Sequence, residues 1–152
     1  MSELSPGTEA RRHWMSVLAK APADELARFW AATGAAPAFA WLRAPETGSV
    51  MVRGRSGGTG ASFNLGEMTV TRCSLKLDDG TVGHAYVQGR DRRKAEIAAL
   101  ADALMQTDRA GDLRRDLLAP LEGRAAEARR ARAARAAATK VDFFTMVRGE
   151  NA

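Results

Sequence analysis

An α+β fold is predicted, with an antiparallel sheet of about four strands in two hairpins, an N-terminal helical hairpin and C-terminal helices. Three observations predict it. Apolar residues recur at helical spacing before Gly34 and again after Asp91. Between them, runs of β-branched and apolar residues alternate with Pro and Gly turn signals. Asp79-Gly80, the strongest short hairpin signal, sits between the last two of these runs.

TEARRHWMSVLAK (8–20) reads as a helix, with Thr8 as N-cap and Trp14, Val17 and Leu18 on one face. Pro22 opens a second helix, in which Leu26, Phe29 and Trp30 keep the core spacing and Gly34 is the stop. Two such helices suggest a DNA-binding helix-turn-helix. The second, however, carries Arg28 as its one cation and gives its large residues to a core stripe, which favours ordinary hairpin packing. FAWLR (39–43) and SVMVR (49–53) are expected as paired strands around APETG, where Pro45 and Gly48 suit a loop. EMTVTRCSLKL (67–77) and TVGHAYVQ (81–88) form the second expected hairpin. A two-residue Asp79-Gly80 loop would pair Asp78 with Thr81 and Leu75 with His84, placing Cys73, Leu75, Leu77, Val82, His84 and Tyr86 on one face. Ile97, Leu100, Leu104 and Met105 then mark a helix capped by Asp91 and broken at Gly111. RDLLAPLE (115–122) suits a turn of helix around Pro120. The Ala/Arg run to Ala138 has high helix propensity and few large apolar residues, the composition of a helix that is exposed or lies on a partner.

A chain of 152 residues fits one core-forming unit. Residues 1–106 read as a compact α+β domain. Residues 107–152 read as a helical, Ala/Arg-rich segment with an apolar tail for packing or subunit contact. No apolar run approaches the ~20 residues that span a bilayer, and the N-terminus lacks a signal-peptide pattern. The lone Cys73 allows no internal disulfide. Together these point to the cytoplasm and to no membrane partner. The net charge of +5 attracts polyanions without choosing among them. A small basic nucleic-acid-binding protein is the alternative reading, supported by the cationic run 124–140. No aromatic-studded basic sheet of the RNA-binding kind accompanies that run, so nucleic acid is not the expected partner.

Gly57-Gly58-Thr59-Gly60 raises the question of a phosphate loop. A Walker loop requires Gly-Lys-Ser/Thr leading into a helix, whereas Gly60 is followed by Ala61-Ser62-Phe63 and then a strand. The glycines read as a pliant connector. Arg90, Arg92, Arg93 and Lys94 flank Asp91 at a helix start, where each cation costs about a few tenths of a kcal/mol against the dipole. Either Asp91 and Glu96 satisfy them locally, or a phosphate or a partner's acidic patch does. Arg129, Arg130, Arg132 and Arg135, with Phe143, Phe144 and Met146 of the tail, are candidate subunit contacts. His84 reads as a hydrogen-bonded core histidine, and Cys73, opposite Tyr86 and only diagonal to His84, is too loosely placed for a nucleophile–base pair. One cysteine and two histidines leave no set for a structural zinc or an iron–sulfur cluster, so no metal and no cofactor is expected in this chain. Its own catalytic residues stay unassigned.

RHWMSVLAKA (12–21), RAPETGSVMVRGRSGGTGASFNLGEMTVTR (43–72), DGTVGHAYVQGRDRRKAEIAALADALMQ (79–106) and VDFFTMVRGENA (141–152) together resemble the G-subunit family of the bacterial carbon–phosphorus lyase core complex. The likeness covers most of the chain. It implies a role in phosphonate metabolism, acting with the H, I and L components to displace adenine from ATP by a phosphonate such as methylphosphonate. The product implied is ribose 1-methylphosphonate 5-triphosphate, with the I subunit as the nucleosidase-like catalyst and ATP as a substrate of the complex. The J subunit implied is a radical enzyme, expected to hold the iron–sulfur cluster and use S-adenosylmethionine. G, H, I and J are implied to form an intertwined two-fold hetero-octamer.

Overall fold

The computed structural model describes residues 6–141. Helices α1 (Pro6–Lys20) and α2 (Ala23–Thr33) are followed by strands β1 (Phe39–Arg55), β2 (Ser62–Leu77) and β3 (Val82–Gln88). Then come α3 (Arg92–Leu104), the short α4 (Ala110–Leu113), a wide π turn (Arg114–Leu118) and the long α5 (Ala119–Ala138). The three strands form one antiparallel sheet in the order β1-β2-β3. The α+β class is as expected; the sheet has three strands rather than four.

The difference lies at Ala44–Gly48, expected as a loop. Here the chain continues as strand, because register shifts between Trp41 and Arg43 and between Arg43 and Glu46 absorb one extra residue each. Pro45 is tolerated because β1 is an edge strand and needs no amide on its open side. The first hairpin therefore closes at the glycine segment, as one turn of 3₁₀ helix over Ser56–Gly58. Gly57 and Gly58 take φ of 61° and 79°, and Gly60 N–H donates to Ser56 O at 2.8 Å.

The second hairpin is also corrected. Its loop holds three residues, Asp78, Asp79 and Gly80, closed by Leu77 N–H donating to Thr81 O (2.9 Å). Cys73 thus faces Ala85, Ser74 faces His84 and Leu75 faces Gly83. A slip of one residue turns every β3 side chain over. Ala85 and Val87 enter the core, while His84 and Tyr86 stand exposed on the outer face.

Helix α3 is the centre of the molecule. Ile97, Leu100, Leu104 and Met105 are buried as expected, and so are the intervening alanines from Ala95 to Ala103. Small side chains all round let the sheet approach from one side and the other helices from the other. Trp14 and Leu18 of α1 and Leu26 and Trp30 of α2 close that second side, and Leu113, Leu117, Leu118 and Leu121 of the C-terminal helices join the same core. Two boundaries differ from expectation. Helix α1 begins at Pro6, so Thr8 lies inside its first turn. The break after α3 falls at residues 105–109, where Thr107 Oγ1 donates to Leu104 O (2.6 Å) and accepts from Arg109 N–H (3.2 Å), and Gly111 lies within α4. The helix around Pro120 forms, and the wide turn before it relieves the clash of the ring with the preceding carbonyl.

One carboxylate ties these layers. Asp102 of α3 is fully buried. It accepts from Arg11 Nε (3.1 Å) and Nη2 (2.9 Å), Trp14 Nε1 (2.8 Å) and the His84 amide (2.9 Å). Asp102→Ala strands the indole and amide donors and is expected to cost about 3 kcal/mol, with part-exposed Arg11 adding little. Urea denaturation checks this; a loss below about 1 kcal/mol would contradict it. Gly83 permits the close approach of sheet and helix, since a Cβ there would collide with the Ala99 carbonyl and lie 2.8 Å from Ala103 Cβ. Gly83→Ala is expected to destabilise by about 3 kcal/mol or more, and a native-like urea midpoint would refute so tight a packing.

Candidate interaction surface

The two groups best suited to covalent chemistry lie on opposite faces of the sheet. Cys73 is buried, its Sγ donating to Ala95 O at 3.3 Å. Burial, and secondarily the nearby Glu96 carboxylate, push its thiol up to about 11. His84 stands outside, with Nδ1 2.8 Å from Ser74 Oγ. The expected core histidine is therefore a surface one, and Cys73 cannot use it as a base. Ser74–His84 resembles part of a hydrolytic triad, yet among the described residues no carboxylate pairs with the imidazole to orient it. Nor do the described residues bring together three or more His, Cys, Asp or Glu side chains able to hold a metal.

The turn before α3 is held in place by Thr71, whose buried hydroxyl donates to Gly89 O (2.7 Å) and lies 3.1 Å from Thr47 Oγ1. Asp91 caps the helix as expected, accepting from Lys94 N–H at 2.9 Å. The four cations divide. Arg93 pairs with Glu96 at 2.9 Å. Lys94 is half-buried, and desolvation pushes its ammonium below the ordinary lysine value, with Asp91 opposing. Arg90 and Arg92 are exposed and make no ion pair among the described residues.

Helix α5 leaves the core after Leu121 and is exposed beyond Ala126. Arg124 pairs with Glu25 (3.0 Å), and His13 lies 3.4 Å from Glu122. These contacts fix the base of α5 against α1 and α2 and bound a groove of about 630 Å³ with an alanine floor. Arg129 and Arg132 line that groove, whereas Arg130 and Arg135 extend into solvent; none of the four makes an ion pair among the described residues. Phe143, Phe144 and Met146 lie outside the described residues.

Sequence reasoning missed Asp102 and the outward His84. The signal for the first was an acid set within a run of otherwise buried apolar positions on α3. For the second it was the doubled Asp78-Asp79 before Gly80, which lengthens the loop by one residue.

The arrangement defines a class: a small α+β chain with a tightly fixed core and, among the described residues, no complete catalytic constellation and several surface arginines that make no ion pair. No helix among the described residues is long and apolar enough to cross a membrane. Residues 9–149 match the family model described as phosphonate metabolism protein PhnG. The chain is 48% identical over 149 residues to a Rhizobium meliloti (strain 1021) protein, across 95% of this chain and 93% of that one. That relative is named alpha-D-ribose 1-methylphosphonate 5-triphosphate synthase subunit PhnG. The chain belongs to the PhnG family.

The raised thiol makes Cys73 inert while the protein is folded. A thiol reagent at pH 8 is expected to modify it only after urea unfolding. Because the folded-state value lies above that of an ordinary thiol, stability should fall as pH climbs toward about 11. Rapid labelling of the native chain would contradict the buried geometry.

Proposed function

We propose that this chain is a non-catalytic or co-catalytic subunit of a cytoplasmic synthase that builds ribose 1-methylphosphonate 5-triphosphate. In the reaction the C1′–N9 bond of ATP breaks, a C1′–O bond to a phosphonate oxygen forms, and adenine leaves with a proton. The observation that carries the reading is the 48% identity, over 95% of the chain, to a protein named as a subunit of that synthase. The separation of Cys73 from His84 supports placing the chemistry on another subunit. The H, I and L components are the proposed co-workers and the J subunit a further partner of the assembly, with its iron–sulfur cluster and S-adenosylmethionine belonging to J. Arg129, Arg130, Arg132 and Arg135 are the proposed subunit contacts. Arg90 and Arg92 are suited to triphosphate or to partner carboxylates, because their guanidinium forks are unengaged among the described residues.

The test is reconstitution. Purified H, I and L components with ATP and methylphosphonate should release adenine and form the ribosyl triphosphate only when this chain is added, and this chain alone should release none. Adenine release by the isolated chain, or undiminished product without it, would overturn the proposal.

A further inference from the structure

Strand β3 is an edge strand, and its open side faces α1, whose Arg11 reaches the Val82 carbonyl. Its ladder to β2 uses the odd-numbered residues. Leu77 N–H donates to Thr81 O and Gly89 N–H to Thr69 O, while the His84 amide turns outward to Asp102. The amide and carbonyl of one residue leave an antiparallel strand on the same side, so those of Val82, His84, Tyr86 and Gln88 aim at the open edge. Val82 O and His84 N–H are engaged there by Gln106, Arg11 and Asp102. His84 O, Tyr86 N–H and Tyr86 O engage no other group among the described residues. This open stretch is short. A polypeptide strand added to it would meet a broken ladder at His84, whose amide the Asp102 carboxylate already holds.

The same edge borders a groove of about 610 Å³ between α1, β3 and α3, to which His84 and Tyr86 contribute. That volume is ordinary for a small-molecule site. Met15 and Ala19 of α1 and Ala98 of α3 give it apolar walls. No Asp or Glu lines it. Arg12, which does, is exposed and makes no ion pair among the described residues.

We infer that this groove binds an adenine nucleotide. A carbonyl and, two residues on, an amide, both aimed out of one strand edge, set an acceptor beside a donor. The Watson–Crick edge of adenine is their complement: its 6-amino group donates to His84 O and its ring N1 accepts from Tyr86 N–H. The flat purine then lies against the apolar walls, and the Arg12 fork meets the phosphates. Cytosine carries the same donor and acceptor on a smaller ring, which covers less apolar surface. The site does not rest on the proposed function. A chain that bound ATP here yet proved dispensable in reconstitution would lose that function and keep the site.

The test is amide NMR of the isotope-labelled full chain titrated with magnesium ATP. Saturable shifts are expected at the Tyr86 amide and at its neighbours on β3 and α1. N6,N6-dimethyl-ATP keeps the phosphates and lacks the amino hydrogens, and should bind at least about tenfold more weakly. CTP should also be weaker than ATP. Tyr86→Pro removes the amide where an edge strand tolerates proline, and Ala19→Phe fills the groove. Each should abolish the saturable shifts with little change in melting temperature. The comparison of nucleotides needs no variant, so it decides even where a substitution unfolds the chain. Equal affinity for the dimethylated nucleotide, shifts confined to the α5 arginines, or no saturable shift at millimolar ATP would overturn the inference.

Discussion

The buried Asp102 carboxylate is the constraint on which the arrangement of layers depends. Taking a carboxylate out of water is costly, and breaking a buried pair leaves the remaining charge uncompensated. Here the donors come from two separate elements: Arg11 and Trp14 from α1, and the His84 amide from β3. Asp102 itself stands on α3, so helix, helix and strand can satisfy it only in one relative placement. The same contacts finish the edge of β3. The Val82 carbonyl accepts from Gln106 Nε2 at 2.8 Å, with Arg11 Nη2 at 3.4 Å, and the His84 amide is taken by Asp102. Part of that sheet edge is thereby closed to further strand pairing.

What Asp102 organises is a core that satisfies itself, and what lies outside it does not. Packing of Gly83 against Ala99 and Ala103 fixes α3 on the sheet, and the leucines from Leu113 to Leu121 seal the other side. The β1–β2 ribbon, two-stranded past the end of β3, and α5 beyond Ala126 leave this core carrying exposed apolar side chains and cations that make no ion pair among the described residues. This division fits a family whose relative is named as a subunit. The chain's one cysteine is sealed and its histidine–serine pair lacks an orienting acid among the described residues.

The helices were legible because periodicity reports burial directly: Leu18, Leu26, Trp30, Ile97, Leu100 and Leu104 all proved to be core. So was the Asp91 cap, a local hydrogen bond between residues three apart. The strands were harder. Pro45 reads as a turn residue in isolation, and only its edge position, a property of the whole sheet, lets the strand continue through it. One residue of loop length at Asp78–Gly80 decided whether His84 faced the core or water, and local propensity does not resolve a single residue. The partners of Asp102 were illegible because its side-chain donors lie 88 and 91 residues away along the chain. Family likeness was legible in segments distributed along the whole chain, and the family match over residues 9–149 agrees with it.

Hydrogen–deuterium exchange, compared between the free chain and its co-purified assembly, tests most directly whether a finished core carries unfinished outer surfaces. Amides of α3 and β3 around Asp102 should be protected in both states, while residues 49–67 and the end of α5 should gain protection only in the assembly. Full protection of the ribbon and α5 in the free chain, unchanged on assembly, would contradict it.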